Sequence, residues 1–331
     1  MGLLLSLPSF LGAALDPVLG LAGDTHRRRA LIVAGAVAFA VSSALNAAAI
    51  GFWTALVALL LADPGSGAFV GLAQATLMDA EPDTRERGMA RWTVAGSSGY
   101  VAGPLLVAAA VFGGLGWRGL LLVLALPAVP LALAVKPPAA QTRSTDWRGF
   151  AAALRDREVL RRLALLEVGD LMLDVFYSFL ALYAVDVAGA GPVEAALAVA
   201  VWTGAGLVGD VLLLAVLRRM NGSAYLRLSA LAVLVLYPTF LLVPALPAKL
   251  GLLALLGLLN AGWYALPKAA LYDALPGRSG TAVAVGGVGG LASAVVPAVL
   301  GELAGAIGLG PTMWLLLIAP LALLVGVRSR R

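Results

Sequence analysis

Hydrophobic and polar positions along this chain fall into long blocks rather than short amphipathic periods. Apolar stretches of about 20 residues, enough to cross the hydrocarbon core of a bilayer as a helix, follow one another from end to end. Hydropathy places about eleven of them: Leu3 to Leu21, Ala30 to Ile50, Phe52 to Met78, Trp92 to Phe112, Trp117 to Val135, Leu163 to Val187, Val193 to Leu217, Leu226 to Leu246, Leu250 to Leu271, Thr281 to Leu303 and Pro311 to Val327. The connectors alternate in charge. DTHRRR (Asp24 to Arg29), EPDTRERGMAR (Glu81 to Arg91), the stretch from Lys136 to Arg162, RRMNGSAYLR (Arg218 to Arg227), PGRSG (Pro276 to Gly280) and the tail RSRR (Arg328 to Arg331) carry nearly all the positive charge. The connectors between them, AIGF, GGLG, GAGP, ALPAK and GLGP, are short and almost uncharged. Under the positive-inside rule the basic loops and the carboxyl end are cytoplasmic and the Gly/Pro loops lie outside. The pattern predicts an all-α, multi-pass protein of a cell membrane.

The segment 136–162 is the one long polar insertion, opening on Pro137-Pro138 and continuing as WRGFAAALRDREVLRR. Its Phe150, Leu154 and Leu160, set among Arg and Asp, predict a short cytoplasmic interfacial helix. The insertion divides the chain into an amino-terminal bundle, 1–135, and a carboxy-terminal bundle, 163–331. Five spans precede it and six follow, so a cytoplasmic carboxyl end places Met1 outside. The expectation from this odd count is a parent with one further amino-terminal span, six plus six.

Composition narrows the function classes. Residues are 61% hydrophobic and 12% charged, against about 25% charged in a soluble domain. The +5 net charge sits in membrane-flanking loops, where it meets anionic headgroups rather than nucleic acid. The absence of cysteine excludes disulfides and thiolate metal sites. The one histidine, His26, is a solvated loop residue. None of the three lysines follows a glycine, so there is no phosphate-cradling GxxxxGK loop to power the chain with ATP. No cofactor, metal or obligatory protein partner is expected; the partner that composition itself implies is the lipid bilayer.

Particular loop residues sharpen this picture. GLAGDTHRRR (Gly20 to Arg29) resembles motif A of the major facilitator superfamily, G-x-L-a-D-r-x-G-r-k: Gly20, Asp24, Arg28 and Arg29 match, while Thr25 and Arg27 depart from it. GYVAGP (Gly99 to Pro104) resembles the GxxxGP core of that family's fifth-span antiporter motif, with Val107 and Ala108 replacing the glycines that follow, and serves equally as a helix-packing device. GWRG (Gly116 to Gly119) is similar to the start of the family's sixth span. The resemblance implies a two-bundle helical transporter with about eleven of twelve spans present. It implies a cytoplasmic gate in which Asp24 faces a helix end of the other half and Arg28 pairs with an acid below the fourth span, Asp79. Where many proton antiporters of the family carry an intramembrane arginine in R-x-x-q-G, this chain reads DPGSG, with Asp63 in the arginine's place.

Ionisable groups inside hydrocarbon cost about 2.5 to 3.5 kcal/mol each and are functional candidates by default. The span LLEVGDLMLDVFYSF holds Glu167, Asp170 and Asp174 at spacings that put them on one helical face. Counting 1.5 Å per residue from Arg162, Asp174 lies about 18 Å deep. The resemblance makes this the seventh span, a cavity wall; the alternative is that the acids bond polar groups of neighbouring spans. Asp63, Asp210, Asn260, Trp263 and Tyr264 complete the candidate cavity, Trp263 and Tyr264 as stacking surfaces for a substrate. GLVGD (Gly206 to Asp210) echoes the GLAGD of motif A. Lys268 reads as a snorkelling residue, and GGVGGLASAVVP (Gly286 to Pro297) as a stretch that packs closely and bends. The reading is an ion-coupled secondary transporter exporting a small amphipathic or cationic compound. Its rivals are proton-linked uptake of a sugar or nutrient, a membrane-embedded enzyme, and an inactive form.

Overall fold

The computed structural model of the chain describes residues 2–137 and 145–327. The basic tail Arg328 to Arg331 and residues 138–144 of the polar insertion lie outside the described residues. Regular structure among the described residues is helical: α1 (Gly2–Gly23), α2 (Arg28–Ala47), α3 (Phe52–Ser66), α4 (Leu72–Ala80), α5 (Arg85–Phe112), α6 (Gly116–Ala125), α7 (Ala128–Ala134), α8 (Trp147–Ala153) and α9 (Arg157–Asp170). It continues with α10 (Phe176–Asp186), α11 (Pro192–Val216), α12 (Gly222–Leu242), α13 (Leu246–Leu259), α14 (Ala265–Ala274), α15 (Ser279–Ser293), α16 (Val296–Ile307), α17 (Leu309–Met313) and α18 (Ile318–Gly326). Nine helical stretches among the described residues are long and apolar enough to cross a membrane, and Phe10–Gly23 and Leu246–Leu259 are shorter apolar helices. Each predicted span falls on one of these.

Contacts divide the chain into two compact units, each assembled from separated segments. The first comprises Met1–Arg85, Ala102–Leu160 and Leu271–Ala292. Within it α2 packs on α3, α6 and α7, and α1 on α3. Glycine permits the closest approach: a Cβ at Gly35 would lie 2.6 Å from the Phe69 amide nitrogen, and one at Gly65 would lie 3.0 Å from that of Phe39. Close backbone contact through small residues is how helices associate where lipid leaves no hydrophobic drive.

The second unit comprises Glu86–Val101, Arg161–Ala270 and Ser293–Arg331. Its core is aromatic. Phe176 meets Trp202, Tyr237 and Phe240 edge-on, with ring centroids 4.8, 5.7 and 5.8 Å apart, a geometry set by the ring quadrupoles. Tyr237 is fully buried and satisfies its hydroxyl on the Met313 carbonyl at 2.8 Å. Apolar side chains elsewhere point outward, Ile50 and Phe112 each 91% exposed, as lipid-facing positions require.

Several spans are interrupted. A π-turn at Gly67–Gly71 joins α3 to α4, another at Leu171–Val175 joins α9 to α10, and the turn 260–264 separates α13 from α14. The causes differ. Pro64, inside α3, lacks the N–H that would bond the preceding turn. Gly262 has φ +80°, a left-handed conformation that ends a helix and that glycine adopts without strain. Nothing in the composition of Leu171–Val175 marks its π-turn. The predicted bend in Gly286 to Pro297 is present: α15 stops at Ser293 and α16 restarts at Val296, with Pro297 in its first turn.

The polar insertion folds differently from the prediction in one respect. Asp146 caps α8 by accepting from the Gly149 amide at 2.8 Å, and α8 contains Phe150. Leu154 lies just beyond that helix, and Leu160 belongs to α9, because Asp156 accepts from the amides of Glu158 at 2.7 Å and Val159 at 3.2 Å and starts the next helix there. An aspartate ahead of a helix is a preferred cap.

Candidate functional site

Two groups of predicted residues come together, one in each unit. In the first unit, Asp24 stands at the end of α1 and spans the start of α15. Its Oδ1 accepts from the Gly280 amide at 2.6 Å, and its Oδ2 accepts from the Thr281 amide at 2.8 Å and the Thr281 hydroxyl at 2.7 Å. A carboxylate on unpaired first-turn N–H groups is the most favourable anion position a helix offers. Arg28, at the start of α2, is 8% exposed. Its Nη1 donates to Asp79 at 2.6 Å, its Nη2 to Asp24 at 3.3 Å and to Ser279 at 2.9 Å, and its Nε to the Gly23 carbonyl at 2.5 Å. The Ser279 hydroxyl closes the circuit by donating to Asp79 at 2.5 Å.

This cluster requires glycine on both sides. A Cβ at Gly20 would sit 2.6 Å from the Ala284 nitrogen and 2.6 Å from the Gly280 carbonyl oxygen, and one at Gly280 would sit 2.2 Å from the Gly20 carbonyl oxygen. Gly20, Asp24, Arg28 and Asp79 therefore form one network, as the sequence predicts. Thr25, which departs from motif A, is buried; its hydroxyl donates to the Ala22 carbonyl at 2.7 Å and accepts from the Arg27 amide at 3.2 Å, so it shapes the turn. Arg29 is exposed and donates to the Leu133 carbonyl at 3.4 Å. The same end of this unit carries an Arg85–Asp273 pair at 2.9 Å and an Arg278–Asp146 pair at 2.9 Å, the latter linking the α15 start to the cap of α8.

The second group lies in the other unit, along α9, its π-turn and α10. Met172, Val175 and Phe176 turn into the core, while Glu167 and Asp170 are half-buried and Asp174 is exposed. Ser293 donates a short hydrogen bond to Glu167. Asp170 interacts electrostatically with Asp174, Glu167 and Lys268, so the predicted acidic face survives the π-turn. Lys268 is half-buried and also interacts with Glu167. Tyr100 interacts with Asp174 and with two further phenols, Tyr177 and Tyr264.

The remaining candidates are dispersed. Asp63 belongs to the first unit, packed where a Cβ on Gly12 would lie 2.9 Å from its Oδ2. Trp263, expected as a stacking surface, is fully buried and its Nε1 donates to Ser229 at 3.0 Å. It is a core residue here, because the turn ahead of α14 points the indole inward. Asp210 is 6% exposed and accepts from the Ser97 hydroxyl at 2.5 Å and from the Gly262 amide. The GLVGD echo does not repeat the motif A arrangement: Asp24 caps a helix, whereas Asp210 ties α5 to the turn after α13. Asn260 is 2% exposed, and neither side-chain polar atom has a hydrogen-bond partner.

Several residues of these sites were not singled out by sequence reasoning. Ser279 and Thr281 carry no charge, and their roles depend on the fold bringing the α15 start to motif A. Tyr100, Tyr177 and Ser97 look like ordinary span residues. Glu86 accepts from the Gly222 amide at 3.0 Å at the start of α12. Lys249, in the ALPAK connector, is 6% exposed and donates to the Phe240 and Leu241 carbonyls at 2.6 and 3.3 Å and to the Tyr183 hydroxyl at 3.1 Å. It satisfies the carbonyls left open at the end of α12, and only its presence in an otherwise uncharged connector could have flagged it.

Comparison with known proteins places this geometry. The chain resembles the E. coli fucose:proton symporter FucP, at 16% identity and a TM-score of 0.81, covering 99% of this chain and 90% of that one. It resembles a second FucP structure, in the outward conformation, at 17% identity and a TM-score of 0.79, with the same coverage, and the human organic anion transporter MFSD10 at 23% identity and a TM-score of 0.80, covering 99% and 83%. These likenesses establish the fold. No curated protein sequence matches the chain. The sequence profile of the Major Facilitator Superfamily matches residues 1–297. A motif A network at one end, an acidic face in a membrane-crossing helix and this profile over most of the chain lead to one conclusion: the protein belongs to the major facilitator superfamily, a transporter of the lipid bilayer and not an enzyme.

Proposed function

We propose that this protein is an ion-coupled secondary transporter whose substrate and coupling proton meet at the acidic face of α9 and α10. The observation that carries this reading is the set Glu167, Asp170 and Asp174, of which the first two interact with Lys268: three carboxylates share that cation, so the site favours a cationic or neutral amphipathic compound. Tyr100, Tyr177 and Tyr264 supply aromatic faces for it. Asp24, Arg28, Asp79 and Gly20 act as the cytoplasmic gate, and the halves 1–135 and 163–331, joined by the 136–162 linker, rock around the site in alternating access. Export is the direction this reading assigns, from a cell membrane with the carboxyl end in the cytoplasm. A second reading, proton-linked uptake of a sugar, draws support from the fucose:proton symporter among the similar folds and from the Tyr100 phenol that interacts with Asp174.

The test is proton flux in liposomes of the purified protein across a panel of organic cations and sugars. Flux driven by an organic cation and abolished by Asp174→Asn supports the first reading. Flux driven by a sugar supports the second. Full flux in Asp174→Asn removes the acidic face from the mechanism.

A further inference from the structure

The two halves of the sequence exchange a segment. Glu86–Val101, from the half 1–135, belongs to the second unit, and Leu271–Ala292, from the half 163–331, belongs to the first. In the first unit the exchanged segment is fastened at the α15 start, by Asp24. In the second unit the fastening lies at the α5 start, where Glu86 and Arg87, adjacent and opposite in charge, reach the two ends of the α11–α12 connector. Asn221 caps α12 through the Ala224 amide at 2.8 Å. The Gly222 amide, the first of that helix, donates instead to Glu86 at 3.0 Å. Arg87 donates to the Leu217 carbonyl, at the end of α11, through Nε at 3.4 Å and Nη2 at 3.3 Å. A carboxylate at a helix start and a cation at a helix end each meet the favourable pole of the helix dipole and satisfy main-chain groups that have no partner inside the helix. Arg87 itself stands in the first turn of α5, the pole that disfavours a cation, so the α11 end gives its charge a better position. The fit is close: a Cβ at Gly222 would lie 2.9 Å from Glu86 Cδ and 2.7 Å from Leu266 Cδ2. One turn further along α5, Met89 and Ala90 are fully buried, and Ala90 joins the core of this unit.

From this geometry we infer that Glu86 and Arg87 are positioning residues of the transport cycle, a second latch that holds the α5 start on the α11–α12 connector and releases together with the Asp24 latch. Glu86, rather than the Asp210 of the GLxGD echo, is then the counterpart of Asp24 in the second unit. The inference rests on the alternating-access reading, because halves that rock as 1–135 against 163–331 must each withdraw the segment now held in the other unit. It makes no use of the acidic face.

The experiment uses the absence of cysteine from the chain. Ala90→Cys introduces a single thiol, buried one turn past the latch, and its rate of labelling by a water-soluble maleimide in the purified protein reads how often the α5 start is released. Met89→Cys is the second reporter, should the first fail to fold, and Val233→Cys, in the buried core of α12, is the control. Glu86→Ala and Arg87→Ala should each speed labelling at position 90 about tenfold, the equivalent of 1.4 kcal/mol. Gly222→Ala, which crowds Glu86 without altering a charge, should act in the same direction. Asp24→Asn, whose bonds to α15 lie in the first unit, should speed it as well, a coupling that a static cap does not produce. The control thiol should keep its wild-type rate throughout. Unchanged labelling at position 90 in Glu86→Ala, or no response there to Asp24→Asn, overturns the second latch. Equal acceleration at position 233 shows general loosening and overturns it too. Labelling needs neither substrate nor proton gradient, so a failure of the proton-flux test leaves this result standing, and the reverse also holds.

Discussion

The motif A network and the acidic face hold charges in opposite conditions. Around Arg28 every charge is matched: one guanidinium meets two carboxylates, a hydroxyl and a carbonyl, and Asp24 is further satisfied by a helix start. On the α9–α10 face three carboxylates confront one lysine, and the deepest of them, Asp174, is exposed. Paired charges fix one conformation, because removing a partner strands the other. Unmatched charges wait for something mobile to match them. The contrast is what the proposed division into a latch and a binding surface rests on.

That separation predicts a gradient of stability effects, measured by the thermal unfolding midpoint in one detergent. The largest belongs to Arg28→Ala, which strands Asp79 and Asp24 together; breaking a buried pair from one side costs about 3–5 kcal/mol. A loss under about 1 kcal/mol, the scale of a solvated pair, would dissolve the contrast. Gly20→Ala comes next. Its methyl group would meet main-chain atoms of α15 at 2.6 Å, which cannot move as a side-chain end would, and overpacking of this kind costs about 1–3 kcal/mol. Retention of wild-type stability together with normal turnover would mean that α15 is free to step away at no cost.

Asp24→Asn sharpens the functional side. It keeps the shape while replacing one acceptor oxygen with a donor against the α15 start, for a loss of up to about 2 kcal/mol. Ligand affinity in detergent should stay within a few fold while turnover in liposomes falls, because a latch needs only to bias two nearly balanced states. Loss of affinity with preserved turnover would move Asp24 to the binding site. Asp174→Asn has the smallest stability effect, within about 0.5 kcal/mol, as expected for an exposed substitution. Coupled flux, by contrast, is lost in this variant. Marked destabilisation instead would make Asp174 a structural acid.

Much of this was legible in the sequence where the signal is local. Apolar length located every span, since a bilayer sets a fixed thickness. Asp24, Arg28 and Asp79 were readable because a short motif spaces the first two around one turn and its family pattern points to the third. Glu167, Asp170 and Asp174 were readable because helical periodicity aligns them. Residues whose roles depend on a distant segment were not. Trp263 and Tyr264 look alike as span aromatics, yet one fills the core and the other is half-buried and interacts with Tyr100. Asp24 and Asp210 end the same word, GLxGD, yet cap a helix in one case and bridge α5 to a broken span in the other.

The sequence by itself determined the membrane-crossing helices, the resemblance to a transporter family and the acidic character of one helix face, since all three follow from composition and spacing along a single segment. Tertiary structure alone decided what each charge meets. It brought Ser279 and Thr281 to motif A, left Asn260 without a partner, set Tyr100 against Asp174 and buried Lys249 under the end of α12. The physical reason is that hydrogen bonds and ion pairs act over a few ångströms. The partners that complete them here lie tens to hundreds of residues apart in the chain, as Arg28 and Ser279 do at a separation of 251.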